Sequence, residues 1–366
     1  MEHYDWSKPI LGGPLDHGFD YYFGDAVINF PPYGWIENDR MVKAPDTMMD
    51  TSKWKAIKEG DWECRSGPMC ADWDPYENIP TTTRKGIEFI EKHAKEDKPF
   101  FLYFAYPSPH APIIPNDHFD NASRAGPYGD FLVETDDSIG QLLAAVDAAG
   151  IRDNTLVIFS ADNGAEHYAY ARDNKFEHWS SGPLRGLKRD LYEGGHRVPF
   201  IVRWPGRVTP GSTSDELVSQ IDIMATLASL VSYDLPDSAA EDSCDLLPLW
   251  TGVTQASPRK SHVHNTFSHT FAIRHDGWTL IQAKNGYHCR GYTDWESKHG
   301  YQEEEGEEQQ LFDLRNDIGQ RKSLINEYPE KAQQLAQRLE SIRTQGHSAP
   351  RLLKNLDGKQ HTTEGQ

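Results

Sequence analysis

An aspartate and an asparagine stand side by side directly after a short apolar run. Asp162 and Asn163 follow LVIF (156–159), and Gly164 comes next. Carboxylate and amide oxygens are hard ligands that suit calcium or magnesium rather than zinc, and a glycine lets the backbone bend tightly around an ion. The same three residues are also ordinary turn chemistry. Two interpretations therefore stay open, a cation site and a strand-to-loop turn.

A histidine held between prolines follows a second apolar run. The segment PSPHAP (107–112) comes after FFLYFA (100–105) and contains His110. Neighbouring prolines restrict the backbone, so the imidazole has a fixed direction. It can donate to an anionic oxygen or protonate a leaving group. The alternative is a histidine of a surface loop.

A lysine in a glycine-rich segment is the third candidate. Lys188 lies in GPLRGLKRDLYEGG (182–195), before a third apolar run, VPFIVRW (198–204). An ammonium in this setting can reach a bound oxyanion. A basic loop on an acidic protein would explain the segment equally well.

These three segments must be positioned by the elements around them. The apolar runs predict strands buried on both faces at 100–105, 156–159 and 198–204. Apolar residues at helical spacing predict helices over 83–93, 139–146 and 223–230. Strands that alternate with helices predict a parallel sheet, and ligands bind beyond the carboxyl ends of such strands. His110 and Asp162 are therefore expected at one edge of the sheet, with Lys188 in an excursion that folds over it.

The chain changes character near its two ends. Residues 1–80 are rich in Gly, Pro and Trp and predict loops with short strands. From residue 255 onward the pattern predicts short strands at 271–274, 278–281 and 310–314, and a closing helix from Pro329. We expect an α/β domain over 1–254, a smaller α+β domain over 255–346 and a disordered tail over 347–366.

The order of these blocks matches a known family. The sequence resembles the formylglycine-dependent sulfatases of the alkaline phosphatase superfamily, arylsulfatases in particular. The resemblance implies an alkaline phosphatase-like α/β sandwich with a mostly parallel sheet, and a smaller C-terminal α+β domain with an antiparallel sheet. The matching stretches are HGFDYYFG (17–24), KPFFLYFAYPSPHAP (98–112), TLVIFSADNGAE (155–166), GPLRGLKRDLYEGGHRVPFIVRWPG (182–206), IDIMATLA (221–228) and QLFDLRNDIG (310–319).

The resemblance also implies roles for the three candidates. Asp162 and Asn163 fall on calcium ligands of the family. His110 falls on the histidine that contacts the sulfate ester near its leaving oxygen, and Lys188 falls on a lysine that binds sulfate. The implied activity is that of a sulfuric ester hydrolase acting on a carbohydrate or aryl sulfate ester, with one calcium ion and a formylglycine residue.

Three more histidines are candidates for the substrate pocket. His167 follows the metal pair in the sequence. His264 and His269 precede the predicted strand at 271–274, where members of the family bring a loop towards the substrate. The alternative for each is a histidine on the protein surface.

The family's nucleophile motif, C/S-x-P-x-R, has no counterpart where the family places it. None of the four cysteines has Pro and Arg at the required offsets. Ser181 in SGPLR satisfies the bare pattern but lies far downstream, within the lysine segment, so we assign the match to chance. We expect an N-terminally truncated fragment with an incomplete calcium site, inactive by itself. Cys64 and Cys70 form either a local disulfide or two thiols.

Composition narrows the class of partner. A formal net charge of −19 argues against binding of nucleic acid or of an anionic membrane. The expected partner is a sulfated small molecule or carbohydrate. Two alternatives stay open: a phosphate monoester or diester hydrolase of the same superfamily, which would use two zinc ions, and a non-catalytic binding remnant. For the full-length protein we expect a periplasmic or extracellular location.

Overall fold

The structure, a computed structural model, describes residues 5–266, 269–288, 293–302 and 308–350. They form two compact units. The first contains the described residues up to Arg152 together with Ala171–His178, and the second contains Asp153–Tyr170 and the described residues from Trp179 onward. The expected division at residue 254 stays a prediction. Of the predicted tail, residues 351–366 lie outside the described residues.

The first unit begins with short strands around an aromatic core, as the sequence predicts. The strands are β1 (Phe23–Gly24), β2 (Ile36–Glu37), β3 (Arg40–Met41), β4 (Thr47–Met48) and β5 (Pro68–Met69). β1, β2 and β3 form one antiparallel sheet, and β4 pairs antiparallel with β5. Tyr33, Met69 and Trp73 are buried at the centre of this part of the unit.

Two long helices, α1 (Asn78–His93) and α2 (Gly126–Ala148), pack against each other in the first unit. Gly86 permits their close approach, because a Cβ atom there would lie 2.6 Å from the ring of Phe104 and 2.8 Å from Leu142. Both helices contain the predicted helical segments but begin earlier. The sequence pattern missed the start of α2, which has Pro127 in its first turn.

The second unit begins with strands that flank a long excursion. In chain order its elements are β6 (Val157–Ser160), α4 (Glu193–His196), β7 (Phe200–Arg203), α5 (Ile223–Leu230) and α6 (Leu247–Trp250). The helix α3 (Ala169–Phe176) lies between β6 and α4 in the chain, and from Ala171 onward it belongs to the first unit. β6 and β7 pair antiparallel, with Ser160 opposite Phe200. The excursion 161–199 therefore leaves and rejoins the hairpin at the same end.

The expected parallel sheet is not confirmed, because every ladder between strands of the described residues is antiparallel. Residues 100–105 belong to no strand within the described part of the chain. Phe101 and Tyr103 are 60% and 71% exposed, so the prediction of a strand buried on both faces is not met. An apolar run indicates a tendency to be buried, but it does not specify a hydrogen-bonding neighbour.

The C-terminal part agrees with the sequence pattern. Its elements are β8 (Ser261–Asn265), β9 (Phe271–His275), β10 (Trp278–Ile281), α7 (Asp294–Lys298), β11 (Gln310–Asp313) and α8 (Pro329–Gln345). The four strands form an antiparallel sheet in the order β11-β10-β9-β8. Leu335 and Leu339 of α8, the predicted closing helix, pack on Ile273, Leu280 and Leu311 of that sheet.

The cysteines of the described residues are thiols, not disulfides. Cys64, Cys70 and Cys244 are free, and burial raises the pKa of each to about 11. The local Cys64–Cys70 disulfide is therefore not formed, and Cys289 lies outside the described residues. None of the helices in the described ranges is both long and apolar enough to cross a membrane.

Candidate functional site

The loop after β6 is packed tightly against the helix α4. The backbone N–H of Gly164 donates to the carbonyl of Gly195 at 3.0 Å. A Cβ atom at Gly164 would lie 1.8 Å from the carbonyl oxygen of Gly194, so only glycine fits there. This contact fixes the backbone next to Asp162, which is exposed, and Asn163, whose Nδ2 donates to the carbonyl of Gly164 at 2.9 Å.

A tight turn presents Lys188 beside this loop. The N–H of Asp190 donates to the carbonyl of Leu187 at 2.9 Å, which closes a four-residue turn with Lys188 and Arg189 at its centre. The carboxylate of Asp190 also accepts from the N–H of Leu187 at 2.8 Å. The N–H of Lys188 donates to the carbonyl of Ala165 at 2.7 Å, so the turn is joined to the loop after β6.

The structure thus brings three of the predicted residues onto two adjoining segments of the second unit. Asp162 and Asn163 lie on one segment and Lys188 on the other, although they are well separated in the sequence. Main-chain hydrogen bonds join the two segments. The close approach of the loop to α4 requires glycine at position 164. The lysine and the two candidate oxygen donors therefore lie on segments whose main chains are hydrogen-bonded to each other.

A carboxylate and a guanidinium link the same two segments. Nη1 of Arg189 donates to Oε1 of Glu166 at 2.7 Å and to Oε2 at 3.2 Å, and Nδ1 of His167 lies 3.4 Å from Oε1. Burial by itself would raise the pKa of Glu166, but the hydrogen bond and charge of Arg189 outweigh it and hold that pKa below its usual value. Glu166 is therefore ionised under ordinary conditions.

His110 lies in the first unit, with one ring nitrogen engaged. Its Nδ1 is 2.7 Å from the carbonyl of Ala111. A carbonyl only accepts, so this contact assigns the proton to Nδ1 and leaves Nε2 as the nitrogen that can exchange a proton with a substrate. The ring also lines a small cavity with Asn78, Asn116 and Glu134. Burial raises the pKa of Glu134, although Asn116 donates to both carboxylate oxygens.

The other three predicted histidines occupy different surroundings within the second unit. His167 is exposed next to Glu166, and His269 is exposed with φ 57°. His264 is half-buried: its Nε2 lies 3.1 Å from the carbonyl of Leu191, and its ring centre lies 3.7 Å from that of His196. Burial lowers the pKa of His264. A role for these three in substrate binding stays a prediction.

The chemistry of Asp162 and Asn163 fits part of a calcium site. A carboxylate and an amide oxygen are suitable ligands, but calcium takes about six to eight oxygens. Among the described ranges, no group of three or more His, Cys, Asp or Glu residues is arranged to hold a metal. The two residues would therefore supply only a portion of the coordination shell.

The sequence pattern missed two features of this region. Arg189 lies 23 positions from Glu166, a separation with no local signature, so their ion pair could not be predicted. Glu193 is fully buried and accepts from Arg197 at 3.2 Å and Arg274 at 3.0 Å, which fixes the start of α4. Ser181, the chance match to the nucleophile motif, donates to the carbonyl of Gly186 at 3.1 Å.

Comparisons with known proteins identify relatives of this chain. The family model described as Sulfatase matches residues 16–233, and the one described as N-sulphoglucosamine sulphohydrolase, C-terminal, matches residues 187–345. A solved structure from work on the metabolism of multiple glycosaminoglycans by Bacteroides thetaiotaomicron superimposes with a TM-score of 0.76 at 29% identity. The superposition covers 93% of this chain and 76% of the chain in the solved structure.

Two curated relatives add sequence identity. The N-acetylgalactosamine-6-O-sulfatase of Bacteroides thetaiotaomicron is 34% identical over 93% of this chain and 71% of its own length. The N-acetylgalactosamine-6-sulfatase of Rattus norvegicus is 33% identical over 64% of this chain but only 42% of its own length. The match over residues 16–233 and the identity to the bacterial enzyme together show that this chain belongs to the sulfatase family, whose members are sulfuric ester hydrolases.

Proposed function

We propose that the protein removes sulfate from a carbohydrate sulfate ester, with 6-sulfated N-acetylgalactosamine as the first candidate substrate. The observation that carries the proposal is the joining of the Lys188 turn to the loop of Asp162 and Asn163 through the Lys188–Ala165 hydrogen bond. The choice of sugar rests on the bacterial relative, which is an N-acetylgalactosamine-6-O-sulfatase.

Each residue has a distinct part in this proposal. The Lys188 ammonium would bind an oxygen of the sulfate group as a charged donor. Asp162 and Asn163 would hold part of a calcium site, and a bound calcium ion would supply positive charge to stabilise the anionic sulfate group. His110, protonated on Nε2 as well as Nδ1, would donate a proton to the leaving alcohol. A formylglycine nucleophile, expected from the family resemblance, belongs to the same proposal, as does a periplasmic or extracellular location.

The test is a comparison of ester classes with the full-length protein. We expect hydrolysis of 6-sulfated N-acetylgalactosamine and of 4-nitrophenyl sulfate, and much slower hydrolysis of 4-nitrophenyl phosphate. The Lys188→Ala variant, which removes the proposed sulfate donor, should lose most of the activity on both sulfate esters. Faster turnover of the phosphate ester would instead support a phosphate ester hydrolase. Sugar binding without turnover of any ester would support a non-catalytic binding protein.

A further inference from the structure

The turn that carries Lys188 contains a residue in an unusual backbone conformation. Arg189 has φ 76°, the left-handed region, at the third position of the Leu187–Asp190 turn. A turn with a positive φ at this position alone is of type II, and type II turns favour glycine there because a side chain crowds the backbone. An arginine at this place therefore needs a compensating interaction.

The ion pair with Glu166 is that interaction. Arg189 and Glu166 are partly withdrawn from solvent, with side chains 39% and 30% exposed. Nη1 of Arg189 contacts both carboxylate oxygens of Glu166. Glu166 follows Ala165, which accepts the main-chain hydrogen bond from Lys188. The turn is therefore attached to the loop at two points, on either side of the Lys188–Arg189 peptide bond.

We propose that the Glu166–Arg189 ion pair positions Lys188 for binding of a sulfate group, so that both residues are positioning residues that do not themselves contact substrate. The inference rests on the proposed function, because it assigns the sulfate group to Lys188. Without the pair the turn would keep its internal hydrogen bonds but would be held to the loop only by the Lys188–Ala165 bond. The lysine ammonium would then spend less time in its binding position.

The experiment measures the dissociation constant of inorganic sulfate by calorimetry on the full-length protein, and KM and kcat for 4-nitrophenyl sulfate. In Glu166→Gln we expect the dissociation constant and KM to rise about fivefold, in line with a partly exposed ion pair, while kcat changes little. Arg189→Gly should show the same rise with an unchanged thermal midpoint, since glycine suits the turn. Arg189→Lys, which keeps the charge, should recover most of the affinity.

Two further variants decide between positioning and general destabilisation. The double variant Glu166→Gln with Arg189→Gly should bind sulfate no more weakly than either single variant, because the two substitutions remove the same ion pair. Glu327→Gln breaks the Lys322–Glu327 pair in the same unit, at 2.5 Å, and should leave sulfate affinity unchanged. Additive losses in the double variant, or a fall in kcat and thermal midpoint at unchanged KM, would overturn the inference.

The results separate the two proposals. Sulfate binding that weakens in both single variants, from a protein that hydrolyses no sulfate ester, would support the positioning role and refute the proposed function. Ester hydrolysis with unaltered sulfate affinity and KM in both variants would support the function and refute the positioning role. A wild-type protein that does not bind inorganic sulfate would also refute the positioning role.

Discussion

A single hydrogen bond determines which nitrogen of His110 is available for chemistry. Its Nδ1 faces the carbonyl of Ala111, so Nε2 is the atom that can deliver a proton. Proton donation matters most when the leaving group is a poor one, such as a sugar alkoxide, and little when it is a stable phenolate.

His110→Ala should therefore discriminate between substrates. We expect kcat for 6-sulfated N-acetylgalactosamine to fall about 100-fold or more, the usual contribution of a general acid. The loss of kcat on 4-nitrophenyl sulfate should be much smaller. Steady-state kinetics with both esters tests this, and equal losses on the two would show that His110 is not the proton donor.

The metal assignment can be tested at Asp162. Asp162→Ala removes the proposed calcium ligand and should lower kcat/KM by about 100-fold or more, because charge stabilisation in the transition state is usually a large term. Glu166→Ala is the matched control: it removes a neighbouring carboxylate that we place outside the metal site, and its loss should be far smaller and confined to KM. Comparable losses in kcat for the two variants would refute Asp162 as a ligand.

At the scale of elements, local sequence patterns predicted individual helices and strands but not which strands pair with each other. Helical spacing of apolar residues predicted α1, α2, α5 and α8, and the short strand-like segments of the C-terminal part predicted β9, β10 and β11. The four-stranded sheet uses neighbours close in the sequence, so its antiparallel order follows from short connections. β6 and β7 are separated by a long excursion, and their antiparallel pairing depends on contacts that no local pattern encodes.

For the candidate site, the sequence supplied candidates whose roles stay predictions. Residue types identified Asp162, Asn163 and Lys188, and family order made their roles specific. The Glu166–Arg189 pair and the buried Glu193 were not predicted, because both depend on tertiary contacts between distant segments. The position of His110 relative to the other site residues also stays a prediction.

We expect a histidine cluster to make the stability of the second unit sensitive to acid. His196 of α4 packs against His262 and His264 of β8, with Arg274 and Glu193 nearby. Burial lowers the pKa of all three rings, that of His262 from 6.5 to about 3. The unfolded chain therefore binds protons that the folded unit does not, so stability is full above pH 6.5 and falls as the pH drops towards 3.

Replacing one histidine of the cluster should weaken the dependence of stability on pH. In His262→Gln the urea midpoint should fall less between about pH 7.5 and about pH 5 than in the wild-type protein, because one group that titrates only on unfolding is gone. An unchanged slope in His262→Gln would show that the cluster does not cause the acid sensitivity.

At the scale of the whole molecule, the negative net charge of the protein should repel the proposed substrate. The sequence carries a formal net charge of −19, and a sulfated carbohydrate is also an anion. Long-range repulsion should slow their encounter at low ionic strength, and salt screens it. We expect kcat/KM for a sulfated oligosaccharide to rise as salt increases from about 20 mM to about 150 mM. A falling kcat/KM over this range would indicate that local positive charge dominates the encounter.

The β6–β7 hairpin also limits how this region could be exchanged between related enzymes. Ser160 and Phe200 are paired, so residues 161–199 begin and end side by side and carry Asp162, Glu166 and Lys188 together. The interior of this segment is buried against residues outside it: Arg185 donates to Tyr287 and to the carbonyl of Gln320, and Glu193 accepts from Arg274. A relative could therefore inherit the segment only together with those partners, so Lys188 and the C-terminal sheet should change as one unit.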